Sequence, residues 1–92
     1  MVWNQAVLIY EDGKTCDVVQ TRGKFTLKSL QMMVGGYIEI LNTKDGRKMV
    51  VNEEGKLNGS GPNLKATELW EHEGHDVIYG DVFVCDASFL NE

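Results

Sequence analysis

The stretch from Leu30 to Ile40, Leu-Gln-Met-Met-Val-Gly-Gly-Tyr-Ile-Glu-Ile, constrains the fold most, because its apolar period changes across a pair of glycines. Leu27, Leu30 and Val34 recur at the spacing of one helical face. From Tyr37 to Leu41 the pattern alternates with period two, setting Ile38 and Ile40 on one side and Tyr37, Glu39 and Leu41 on the other. Thr26 can accept a free first-turn N–H, and Gly35 can take the left-handed conformation that ends a helix without a Cβ clash. The expectation is a helix over Thr26–Val34 that turns at once into a strand, with the isoleucines toward the helix.

The remaining chain reads as strands and turns. Ala6-Val7-Leu8-Ile9-Tyr10 has strand length and ends in Glu11-Asp12-Gly13-Lys14, whose Asp-Gly pair signals a hairpin to a second strand over 16–21. Arg22-Gly23-Lys24 carries the chain away from it. Lys44-Asp45-Gly46-Arg47 signals another hairpin, from 37–41 to 49–52, and Glu53-Glu54-Gly55-Lys56 an acidic reverse turn. Residues 57–62 are glycine-rich, and Asn63 is placed to cap a short helix over Leu64–Trp70. A polar loop over 70–75 precedes Val77-Ile78-Tyr79 and Val82-Phe83-Val84-Cys85, a final strand or bent pair around Gly80-Asp81. Phe89 and Leu90 can tuck against the sheet. The fold class is α+β: an antiparallel sheet of about five strands with one main helix and a short second one.

A chain of 92 residues fits a single domain over 1–92, burying roughly 60 to 65% of its unfolded surface. Its 42% hydrophobic and 25% charged residues are those of a globular protein. No run approaches the ~20 apolar residues of a membrane span, and the first ten residues lack a secretory signal's features, so the expected compartment is the cytoplasm, the host's if the protein is viral. A net charge of −5 disfavours direct nucleic-acid binding, since few cations can displace counterions from a phosphate backbone. Mimicry of DNA calls for stripes of carboxylates, whereas here lysines and arginines are interspersed. Cys16 and Cys85 lie far apart in apolar runs and read as buried strand residues, reduced in a cytosol.

Several motifs taken in order resemble a family of small uncharacterised domains. They are Leu-Gln-x-x-Val-Gly-Gly-Tyr-Ile-Glu from Leu30, Asn52-Glu-Glu-Gly-Lys-Leu-Asn-Gly59, Pro62-Asn63, Ala66-Thr67, and Ile78-x-Gly80-x-Val82-x-Val84. The family is met mostly in phages, large DNA viruses and mobile elements of bacteria. The match runs from about Leu27 to Asp86. This chain has Ser60-Gly61-Pro62-Asn63 where the family more often reads Leu-Pro-Pro-Asn. The resemblance implies a mixed α+β domain in a viral or mobile-element setting and supplies no activity.

No residue set amounts to a catalytic apparatus. His72 and His75 lack partners at zinc-ligand spacing. Glu53 and Glu54, adjacent on an extended chain, point to opposite faces and cannot aim at one bond. A cysteine nucleophile needs a nearby histidine, and both histidines share one loop. The glycine pair sits at a helix C-terminus, whose partial negative charge repels the phosphates that glycine loops elsewhere cradle. What remains is a polar set suited to hydrogen-bonding a base edge or a ribose: Gln31, Tyr37, Glu39, Asn52, Asn58 and Asn63, joined by the Gly35-Gly36 backbone, with Tyr37 or Trp70 stacking.

The expected function is that of a small non-enzymatic binding protein, without cofactor or metal, from a phage or mobile element. It would act on a small ligand, such as a nucleotide-derived immune signal of the host, or on a host protein. Rival expectations are a cryptic hydrolase using Glu39 or Glu53, and an acidic decoy that blocks a nucleic-acid-binding host protein. An exposed hairpin edge also points to a homodimer.

Overall fold

The structure, a computed structural model, describes residues 6–18 and 25–90. Five strands form one antiparallel sheet: β1 (Ala6–Ile9), β2 (Thr15–Val18), β3 (Ile38–Asn42), β4 (Lys48–Asn52) and β5 (Val82–Cys85), in the order β2-β1-β5-β4-β3. Helices α1 (Leu27–Val34) and α2 (Leu64–Leu69) and a 3₁₀ turn at Ala87–Phe89 complete it. The α+β class and the count of strands agree with the sequence.

Each hairpin closes through the same turn. Tyr10 N–H donates to Lys14 and Gly13 N–H back to Tyr10, while Thr43 N–H donates to Arg47 and Gly46 N–H back to Thr43. This is a three-residue loop whose last position takes a left-handed conformation, supplied by Gly13 (φ +92°) and Gly46 (φ +88°). In the second turn the Arg47 guanidinium, 2.7 Å from Asp45 Oδ2, and the buried Thr43 hydroxyl hold the Asp45 carboxyl well below the usual carboxylate range. The second strand runs over Thr15–Val18; its expected continuation to Thr21, and the connector at Arg22-Gly23-Lys24, lie outside the described residues.

Strand β5 joins the hairpins. It pairs with β1 on one side and β4 on the other, and all four of its residues are buried. Phe83 and Cys85 face a core with Phe25, Leu30, Val34, Val50, Phe89 and Leu90, under α1. Val82 and Val84 face a second core with Ile9, Met49, Val51, Ala66 and Ile78, under α2. A strand covered on both sides reads as an unbroken apolar run, which Val-Phe-Val-Cys is. Phe25 packs edge-on against Phe83 and Phe89, so Phe89 and Leu90 do fold back onto the sheet.

Residues 77–79 do not join the sheet as a strand. Gly80 N–H donates to the Gly61 carbonyl and Asn63 N–H to that of Ile78, so the segment pairs with the glycine-rich loop instead. Asn63 is wholly buried at the centre of this arrangement. Its Oδ1 accepts from Ala66 N–H, capping α2, while Nδ2 donates to the carbonyls of Ile9 (3.0 Å) and Gly80 (2.8 Å). One amide thereby ties the second helix, β1 and the entry to β5. Trp70, expected inside α2, is its extended C-cap.

The cysteines differ from expectation by half. Cys85 is buried in β5, and burial pushes its thiol up to about 11. Cys16 is exposed, because β2 is an edge strand that no layer covers among the described residues. A thiol-reactive dye should therefore modify Cys16 in the native protein and reach Cys85 only as the chain unfolds; fast native modification of both would contradict the buried β5.

Replacing Asn63 by alanine removes a helix cap and strands two buried carbonyls, which together should cost about 2–4 kcal/mol. Urea denaturation should show a lower midpoint at unchanged slope.

Candidate functional site

Thr26 caps α1 as expected, its hydroxyl accepting from Ser29 N–H. At the other end Gly35 has φ +83° and, with Gly36, donates to the Gln31 carbonyl. The chain then enters β3 directly. Ile38 packs on the α1 core and Leu41 on the α2 core, so the alternation read from the sequence assigns the two faces correctly.

On the α2 side, a cleft of about 280 Å³ lies beside β3. Glu39 and Leu41 of β3 and Val51 of β4 form one wall. Glu53, Gly55 and Lys56 of the following turn form the second, and Trp70 with residues 76–79 closes the third.

Long-range bonds fix these walls. The end of α2 and the segment after it are fastened to the end of β3: Lys44 N–H donates to the Leu69 carbonyl, Glu71 N–H to that of Asn42, and Lys44 pairs with Glu73. Trp70 is thereby set at the mouth. Gly55 lets the acidic turn lie against Tyr79, since a Cβ there would stand 2.8 Å from the Tyr79 carbonyl oxygen, inside contact distance. Lys56 Nζ lies 5.9 Å from the centre of the Tyr79 ring, within the range of a weak cation–π attraction.

The charge is lopsided. Glu39, Glu53 and Asp76 contribute exposed carboxylates, Lys56 the single ammonium. Register sets Glu39 opposite Val51 and, by the Glu53-to-Tyr37 backbone bond, Tyr37 opposite Glu53. Glu39 and Glu53 are thus diagonal neighbours on one face, about 7–8 Å apart. Such a site favours cations and hydrogen-bond donors over anions.

Of the polar set anticipated from sequence, Glu39, Asn52 and Trp70 reach the cleft. Asn52 touches it but spends its amide elsewhere, donating to the Val34 carbonyl at the end of α1 and accepting from Glu54 N–H. Gly36 lies against that amide, where a Cβ would come 3.0 Å from Nδ2. Gln31, Gly35 and Gly36 belong to the α1 junction, across the sheet from the cleft. Tyr37 is largely exposed and outside the lining, Asn58 lies on an exposed turn, and Asn63 is consumed inside the fold. The set does not converge, because amides beside caps and turns are used by those caps and turns.

Lys56, Asp76 and Tyr79 join the cleft without a local signal: Lys56 follows β4 in the acidic turn, and the pairing of 78–80 with the 60s loop brings Asp76 and Tyr79 to it. Trp70, His72 and His75 form an edge-on series at its rim, with centroids 5.6 and 6.0 Å apart. Among the described residues no group of three or more His, Cys, Asp or Glu is placed to share a metal ion.

The chain matches, over residues 4–89, the family described as Domain of unknown function (DUF3846). No curated protein and no solved structure matches it.

Substituting Gly55 by alanine should force the turn off Tyr79 at a cost of about 1–3 kcal/mol. Thermal melting checks the cost, and shifted amide resonances at Lys56 and Tyr79 check the place.

Proposed function

We propose that this chain, which belongs to the DUF3846 family, is a small non-enzymatic binding protein of a phage or mobile element that acts by occupancy on a host component. The cleft beside β3 carries the reading: three carboxylates and two aromatic walls against one lysine. That balance suits a lysine or arginine side chain of a host protein, whose charge meets Glu39, Glu53 and Asp76 while its stem lies along Trp70. Occupancy of a basic surface also accounts for the acidic net charge of −5, which speeds encounter with a cationic partner. A phage or mobile-element setting is supported by the resemblance of the ordered motifs, and the host cytoplasm is the compartment that goes with it.

Two other readings have a specific observation each. Trp70 and Tyr79 could stack a base whose donors meet the carboxylates, the arrangement a nucleotide-derived signal would need, though Lys56 alone would meet its phosphates. The diagonal Glu39 and Glu53 lie side by side on one face of the cleft, the placement an acid and base pair of a hydrolase would use.

Arginine amide separates them. It should raise the melting temperature by mass action, worth about 1.4 kcal/mol at ten times its dissociation constant. The gain should vanish in Glu39→Gln and fall in Trp70→Ala, and adenosine nucleotides should give none. Stabilisation by nucleotides, recovered intact, would favour the second reading, and their cleavage the third; no response to arginine amide would overturn the first.

A further inference from the structure

The cleft has a counterpart across the same strand. On the α1 side, Leu27, Leu30, Ile38, Ile40 and Leu90 border an apolar groove of about 300 Å³, open to water at Leu27 and Ile40. Between the two openings runs the outer edge of β3, last in the sheet. In the register with β4, the backbone bonds at Tyr37 and Thr43 fix the parity, so the N–H and C=O groups of Ile38 and Ile40 point away from β4. Among the described residues no backbone group outside the strand meets them.

We propose that this edge docks an extended segment of a basic partner protein, added antiparallel to β3, whose apolar side chains enter the groove while its lysines or arginines alternate toward Glu39. The inference rests on the reading of the cleft as a cation site and names how the partner presents its charges. Period two does the sorting: residues opposite Ile38 and Ile40 share their face and meet the groove, and the residue between them stands opposite Glu39.

A second copy of the chain fits poorly. Gly36, the preceding position of outward parity, spends its N–H on Gln31, and the Asn42 carbonyl already accepts from Glu71. Antiparallel self-pairing through the free groups sets Glu39 directly opposite its own copy where Ile38 meets Ile40, and diagonal to it where Ile38 or Ile40 meets itself. Like charges opposite one another repel, whereas a basic residue at that position attracts.

The test uses a capped synthetic peptide of alternating valine and lysine, the same peptide N-methylated on its valines, and the ¹⁵N-labelled full chain. Saturation with the first peptide should slow hydrogen exchange at the Ile38 and Ile40 amides. Methylation, which removes the donors facing β3, and Glu39→Lys should each weaken binding at least about tenfold. If arginine amide still perturbs the cleft resonances while the peptide leaves both amides unprotected, edge docking is wrong and the cleft reading stands. If neither ligand binds, both fall. Protection that grows with protein concentration in the absence of peptide would assign the edge to a second copy and overturn the proposal.

Discussion

The double burial of Val82–Cys85 is the constraint on which the rest of the molecule depends. Each hairpin has one long-range partner in the sheet, and both partners are this strand. With Phe83 and Cys85 serving one core and Val82 and Val84 the other, a polar substitution at any of the four would open one layer. Burying a side chain of that size is worth about 1.5–3 kcal/mol. In a chain of 92 residues that is a large share of a stability expected near 5–15 kcal/mol. The strand's arrival also decides where the cleft and the groove lie, because it leaves β3 at the rim.

Local chemistry was readable from residues alone. The Asp-Gly turns, the Thr26 and Asn63 caps and the Gly35 stop each involve groups within a few positions of one another, and each formed as read. The alternation of Ile38 and Ile40 against Leu41 gave the correct faces for the same reason. What escaped was the partner of each long-range bond. Asn63 looks from sequence like any capping amide, yet its Nδ2 spans to Ile9, 54 positions away. Asn52 and Asn63 look like ligand candidates for the same reason, since nothing local shows which carbonyls claim their amides. Glu39 and Trp70 were legible candidates since an exposed carboxylate mid-strand and an indole past a helix end have no local use.

The position of the cleft follows from element lengths. At 1.5 Å per residue, the six residues of α2 make a rod of about 9 Å, whereas five strands at a spacing near 4.8 Å spread over about 19 Å. The helix therefore leaves part of this face bare: it buries Ala66 in the second core, its last residue, Leu69, meets the chain just past β3 through the Lys44 N–H, and the cleft opens beside it between β3, the turn over 53–56 and Tyr79. Trp70, its C-cap, bridges to Thr43 and stands in the wall of that opening.

An uncovered edge beside an uncovered face invites indiscriminate strand pairing, and the flanks of β3 restrict it. Upstream, the C-cap of α1 consumes the Gly36 N–H; downstream, Glu71 consumes the Asn42 carbonyl. Among the described residues, Ile38 and Ile40 keep both outward backbone groups free, with Glu39 between them. An edge this short forms few backbone bonds, about 0.5–1.5 kcal/mol each net, so affinity has to come from side chains on both faces. The apolar groove and the acidic cleft supply unlike preferences at alternate positions, and a segment lacking either component loses one face of contact. Discrimination then arises from period two itself: a one-residue slip would drive lysines into the groove and apolar groups toward Glu39. The edge strand reads its partner through the same alternation that assigns its own residues to two cores.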